Sequence, residues 1–147
     1  MIARGSPHRP DLVAFIESMP VVELLGIRLV ELSPGHAEYE LTIQPAITFD
    51  GSVVQGGIVG TLADFAGVTA AMSALDEGWF SSTVDFQVQN LAPAVGDRLV
   101  AVGEALRSGR RIGLSRADVY AVSGDQRVLC ATALTTSVPI APRASGE

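Results

Sequence analysis

Apolar and polar residues alternate along "HAEYELTI": Ala37, Tyr39, Leu41 and Ile43 fall on one side, Glu38, Glu40 and Thr42 on the other. A period of two is that of a strand with one buried face. The Pro34-Gly35 turn joins it to "GIRLVELS", so the two stretches read as an antiparallel hairpin. Further on, "SSTVDFQVQ" alternates again, with Val84, Phe86 and Val88 expected inward. "DRLVAVGEALRS", "GRRIGLSRADVYAVS" and "QRVLCATALTTSV" follow as strands, separated by turns at "APAVG", "SGR" and "SGDQ". Ahead of the hairpin, "RPDLVAFIES" reads as a short helix with Asp11 near its start, where a carboxylate suits the helix dipole.

One stretch breaks this pattern. "GSVVQGGIVGTLADFAGVTAAMSAL" is almost wholly apolar or small and predicts a helix from about Gly57 to Leu75, with Gly78 as its C-terminal cap. A helix that is apolar all round must be covered on every side. Either an antiparallel sheet wraps it or a partner subunit covers part of it. Asp64 is its one charge, and no Lys or Arg lies within a helical turn. A carboxylate among apolar residues is costly without a partner, so Asp64 points to a cleft or an interface. Gly60 and Gly67 each cost a helix about 1 kcal/mol relative to Ala, which implies a close approach by the sheet or a second helix. The connection "QPAITFDGSVVQGG" is long, and such loops often carry function.

Composition narrows the classes. A chain of 147 residues fits one domain, 1–147, with loose ends expected at 1–9 and 139–147. A mean hydropathy of +0.35 favours extra buried surface such as a subunit interface. Ten basic residues face sixteen acidic ones, a net charge of -6, which argues against nucleic acid as a partner. The single cysteine, Cys130, permits no internal disulfide, implies a reduced, cytoplasmic compartment and reads as strand packing. "MIARGSPHRPDLVAF" lacks the layout of a signal peptide, and Asp64 and the glycines interrupt the only stretch long enough to consider as a membrane span. His8 and His36 lie away from the apolar helix and no cluster has metal spacing, so no metal is expected. Neither G-x-S-x-G nor a Gly-rich phosphate loop is present.

The element order, together with "VVQGGIVGTLADFAG", resembles hotdog-fold acyl-CoA thioesterases. The phenylacetate-pathway (PaaI-type) branch, close to 4-hydroxybenzoyl-CoA thioesterases, fits best. Members carry a motif like His-Gly-Gly followed seven residues later by Asp or Glu; here Gln55-Gly56-Gly57 and Asp64 match. "LLGIRLVELSPGHAEYELTI" and "TVDFQVQNLAPAVGDRLVAVGEALRSGRR" extend the resemblance over roughly Val13 to Val138.

The resemblance implies an α+β hotdog fold, an antiparallel sheet wrapped around one long central helix. It implies hydrolysis of an acyl-CoA to a free acid and coenzyme A, with no cofactor beyond the coenzyme A of the substrate. The Gly56 N–H would receive the developing oxyanion, Asp64 would be general base or nucleophile, and Thr83 would orient the water or the acid. Gly and acid of one site would come from different subunits, hence a homodimer or homotetramer. Gln55 stands where His is frequent; it can hold the loop or donate a hydrogen bond but carries no proton at neutral pH. Phe49 stands where Asn or Gln is frequent, and with Gly57 it would face the substrate. Arg110 and Arg111 suit the phosphates of coenzyme A by their fork of donors, or form a solvated turn. The few histidines argue against a hotdog dehydratase or hydratase. The rival expectation is a non-catalytic hotdog protein that binds acyl-CoA or a small aromatic acid; an oligomeric scaffold that binds neither is the third.

Overall fold

Six antiparallel strands curl around one long helix in the computed structural model, which describes residues 8–144. Two short helices, α1 (Pro10–Glu17) and α2 (Pro20–Leu25), precede the hairpin β1 (Ile27–Ser33) and β2 (His36–Thr42). A 3-10 turn (Pro45–Ile47) lies in the long connection to α3 (Gly56–Ser73). Then come β3 (Phe80–Asn90), β4 (Arg98–Ser108), β5 (Gly113–Ser123) and β6 (Gln126–Ile140). The strand order β1-β2-β4-β5-β6-β3 leaves β1 and β3 as edges. α3 crosses the concave face and touches every strand, most extensively β4 and β5. This is the hotdog arrangement that the resemblance implies.

Small residues let the sheet close on α3. A Cβ at Gly103, on β4, would lie 2.0 Å from the Ala66 carbonyl oxygen, and one at Gly67 would lie 2.4 Å from Thr135 Oγ1 on β6. The close approach expected at Gly67 is therefore to the sheet. Gly60 meets only ordinary contacts, 3.5 Å and 3.6 Å from Val88 and Phe86. Tyr39, wholly buried on β2, ties the sheet to α3 through a hydrogen bond with Thr69 Oγ1 at 2.7 Å. Gly103→Ala drives a methyl into helix backbone, which cannot swing away as a side chain can. It should lower the unfolding free energy by about 3 kcal/mol, the upper end of usual overpacking costs, as read by denaturant titration.

Four expectations are corrected. The pattern of the sequence did not predict α2; Pro20 opens it and Gly26, at φ 70°, closes it. α3 ends at Ser73, before Leu75, with Ala74 as its C-cap. Gly78 instead sits in the next turn at φ 84° and donates its N–H to Asp11 Oδ2 at 3.0 Å. Val84 points outward and is 60% exposed, because a bulge between Thr83 and Asp85 shifts the register of β3. Thr83, Phe86 and Val88 keep the inner face.

The stretches expected to be loose, 1–9 and 139–147, are described only in part. β6 continues to Ile140, and residues 1–7 and 145–147 lie outside the described span. Arg9 is buried, and its Nη1 donates to the Met72 and Leu75 carbonyls at 2.8 Å each. Its Nη2 donates to the Trp79 carbonyl at 2.7 Å, and Asp11 pairs with its guanidinium. Arg9 thereby ties the chain ahead of α1 to the C-terminal turn of α3 and the loop that follows it.

Candidate functional site

Gln55 starts α3 as its N-cap. Its side-chain oxygen accepts from the Ile58 N–H at 3.2 Å, and its carbonyl from Ile58 and Val59. Gln55 thus holds the loop, one of the two tasks its position allowed. A Cβ at Gly57 would fall 2.8 Å from that capping oxygen, so the second glycine makes room for the cap. The N–H groups of Gly56 and Gly57 have no acceptor among the described residues. Such first-turn donors, at the positive end of the helix dipole, suit a developing anion.

Gly56 opens onto a cavity of about 520 Å³. Phe49, Val53, Val54, Val59 and the run Asn90 to Ala94 line it as well. Phe49 is exposed at its edge, where its ring can meet an apolar group but can donate nothing. Asn90 closes β3 beside Gly56. No feature of its own stretch singled it out, since the juxtaposition is made by the end of a strand 34 positions along the chain, 90 minus 56.

Asp64 lies on the stripe of α3 that the sheet leaves half covered, with Thr61, Phe65 and Val68. Its Oδ1 accepts from Thr83 Oγ1 on edge strand β3 at 2.9 Å. No cation pairs with it among the described residues, and Oδ2 accepts no hydrogen bond there. Burial pushes its carboxyl above the ordinary 3.8, and the Thr83 hydrogen bond draws it partly back. Beside it is a cavity of about 240 Å³ whose apolar wall includes Phe15, Met19, Phe65, Val68 and Met72. The covering helix α1 therefore contributes to this pocket, which the periodicity of α1 alone did not indicate. Thr83→Val removes the hydrogen bond that favours the carboxylate. If ionised Asp64 limits the rate, the acid limb of the pH–rate profile should move to higher pH; an unmoved limb contradicts the assignment.

Gly56 and Asp64 stand eight residues apart on one helix, about 12 Å along its axis at 1.5 Å per residue. One chain therefore does not bring them to the same atom. Arg110 lies elsewhere again, beyond the C-terminal end of α3, 3.6 Å from Asp76 and over the Trp79 ring at 5.7 Å. Arg111 is exposed in the same turn. Neither arginine reaches Gly56 or Asp64 within the chain by any hydrogen bond or ion pair of the described residues. On the outer face of the sheet, strand pairing gathers Glu31, His36 and Glu38 within 4.8 Å of one another, a grouping their spacing in sequence concealed. His36 Nδ1 shares a hydrogen bond with Glu104 at 2.6 Å, on the face opposite α3. No helix among the described residues is long and apolar enough to cross a membrane.

Comparison with known proteins adds to this geometry. No protein-family model matches the chain. The crystal structure of a thioesterase family protein from Silicibacter pomeroyi is 30% identical and superposes with a TM-score of 0.85, covering 88% of this chain and 96% of that one. The medium/long-chain acyl-CoA thioesterase YigI of Salmonella typhimurium is 25% identical over 121 residues, which span 72% of this chain and 78% of YigI. The E. coli PaaI protein, from the phenylacetic acid degradation operon, shares the fold with a TM-score of 0.77 at 22% identity, covering 88% of this chain and 90% of PaaI.

Proposed function

This chain belongs to the thioesterase family, and we propose that it hydrolyses acyl-CoA thioesters to a free acid and coenzyme A at sites shared between two copies of itself. The observation that carries the reading is Asp64, a half-covered carboxylate without a cation, held by Thr83 at the free edge of the sheet. A long open edge is a template for a further strand. Along β3, Thr83 stands beside Asp64 and Asn90 beside Gly56. Antiparallel pairing of β3 with its own copy reverses that order. The Gly56 end of one chain then meets the Asp64 end of the other, and a C2 dimer acquires two equal sites.

At such a site the Gly56 N–H binds the thioester oxygen. As general base, Asp64 Oδ2 takes a proton from water; the water oxygen bonds to the thioester carbon, the C–S bond breaks and the coenzyme A thiolate leaves. As nucleophile, the same oxygen bonds to that carbon and expels the thiolate, and water then opens the acyl anhydride. A raised carboxylate pKa favours proton transfer near neutral pH. Arg110 and Arg111, on exposed turns, belong to the same proposal as contacts for the coenzyme A phosphates, and Phe49 as a contact for the substrate near the oxyanion donor.

The test is thiol release from acetyl-, octanoyl-, palmitoyl- and phenylacetyl-CoA. Turnover of at least one supports the reading, and the preferred chain names the acyl class. Binding without release contradicts it in favour of a carrier or sensor.

A further inference from the structure

Asn90 carries the only polar side chain among the residues that line the cavity at Gly56. The other walls are Phe49, Val53, Val54, Val59 and the small or apolar residues that follow Asn90. A methyl group built on Gly56 would stand 3.4 Å from Asn90 Nδ2 and 3.9 Å from its Cγ, so the amide lies directly against the first residue of α3. The strand fixes it there. Asn90 pairs with Ala131 on β6, and its side chain shares the inner face with Phe86 and Val88, which pack at Gly60 one turn further along the helix. The amide has no hydrogen-bond partner among the described residues. Asn90 is exposed at the mouth of this cavity, so its amide donors are open to a group bound there.

A thioester oxygen accepts through two lone pairs, and an oxyanion demands both more strongly. The Gly56 N–H supplies one donor. We propose that the Asn90 side-chain amide supplies the second, donating to the same oxygen, which makes Asn90 a catalytic residue of this site; the inference rests on the thioesterase reading above. Both donors come from one chain and Asp64 from its partner. Asn90 therefore belongs to the oxyanion half of the site. Its hydrogen bond strengthens as negative charge develops, so its loss falls on kcat rather than on KM.

The experiment compares wild type, Asn90→Ala and Asn90→Asp on the best of the four acyl-CoAs named above, with thermal melts alongside. Asn90→Ala should lower kcat about 100-fold, in the range for one lost oxyanion donor, with KM nearly unchanged. Asn90→Asp keeps the shape but turns an acceptor toward the developing charge, so its kcat should fall at least as far. A side chain that only braced the strand end would show its loss in the melts and would tolerate Asp. A wild-type kcat in Asn90→Ala, or a rise in KM alone, overturns the inference and leaves the thioesterase reading standing. A wild type that cleaves no thioester overturns both.

Discussion

Asp64→Asn lowers kcat for thioester cleavage by about a hundredfold or more, while the protein becomes more stable at neutral pH. The first effect follows from either chemistry open to the residue, since Asn neither takes a proton nor acts as a carboxylate nucleophile. The second follows from the environment. Burial holds the folded-state pKa above the ordinary 3.8. Folded protein then binds that proton more tightly than unfolded chain, and stability falls as pH rises between the two values. Below the unfolded value the carboxyl is neutral in both states and contributes no penalty. Above the folded value the full penalty is present. Asn keeps an oxygen for the Thr83 hydroxyl and carries no charge. Melts of wild type and variant should therefore coincide in acid and separate as pH rises, with the variant higher. A variant less stable at neutral pH means that Asp64 braces the fold and contradicts a functional placement.

Gly56→Pro lowers kcat by about 10² to 10³ without loss of stability. Gly56 is the first residue of α3, where proline is well accommodated because its missing N–H has no partner within the helix. Gln55 at φ -61° and ψ 133° already holds the extended conformation that a following proline requires. The substitution deletes the proposed oxyanion donor and little else, and loss of one such donor costs that much in other hydrolases. Gly56→Ala is the control, since it keeps the N–H and adds only a methyl against the Asn90 side chain. Its loss should be clearly smaller. Equal losses in the two variants would mean that bulk, not the N–H, is what the site rejects.

The elements were legible wherever a period ran undisturbed. Alternation in "HAEYELTI" marks β2, and the apolar run marks α3 to within two residues at each end. Asp64 stood out because a lone carboxylate in a core helix is costly, and the structure does leave its stripe half covered. What escaped depends on contacts that no local pattern encodes. Val84 was turned outward by a bulge, which shifts the parity of every position before it. Arg9 sat in a stretch rich in Gly and Pro, yet its partners are carbonyls at the far end of α3. Gly103 carries no local signal, because what it makes room for is the Ala66 carbonyl of a distant helix. Asn90 acquires meaning only when the end of β3 is laid beside the start of α3.

In the proposed dimer each site takes Gly56 from one chain and Asp64 from another. Co-expression of Asp64→Asn and Gly56→Pro chains under two different tags, with purification through both, isolates the mixed dimer. One of its two sites holds both substitutions and the other holds neither. Each variant alone should be nearly inactive, and the mixed dimer should recover about half the wild-type rate per dimer. A mixed dimer as inactive as its parents would place Gly56 and Asp64 in the same chain's site and overturn the shared site.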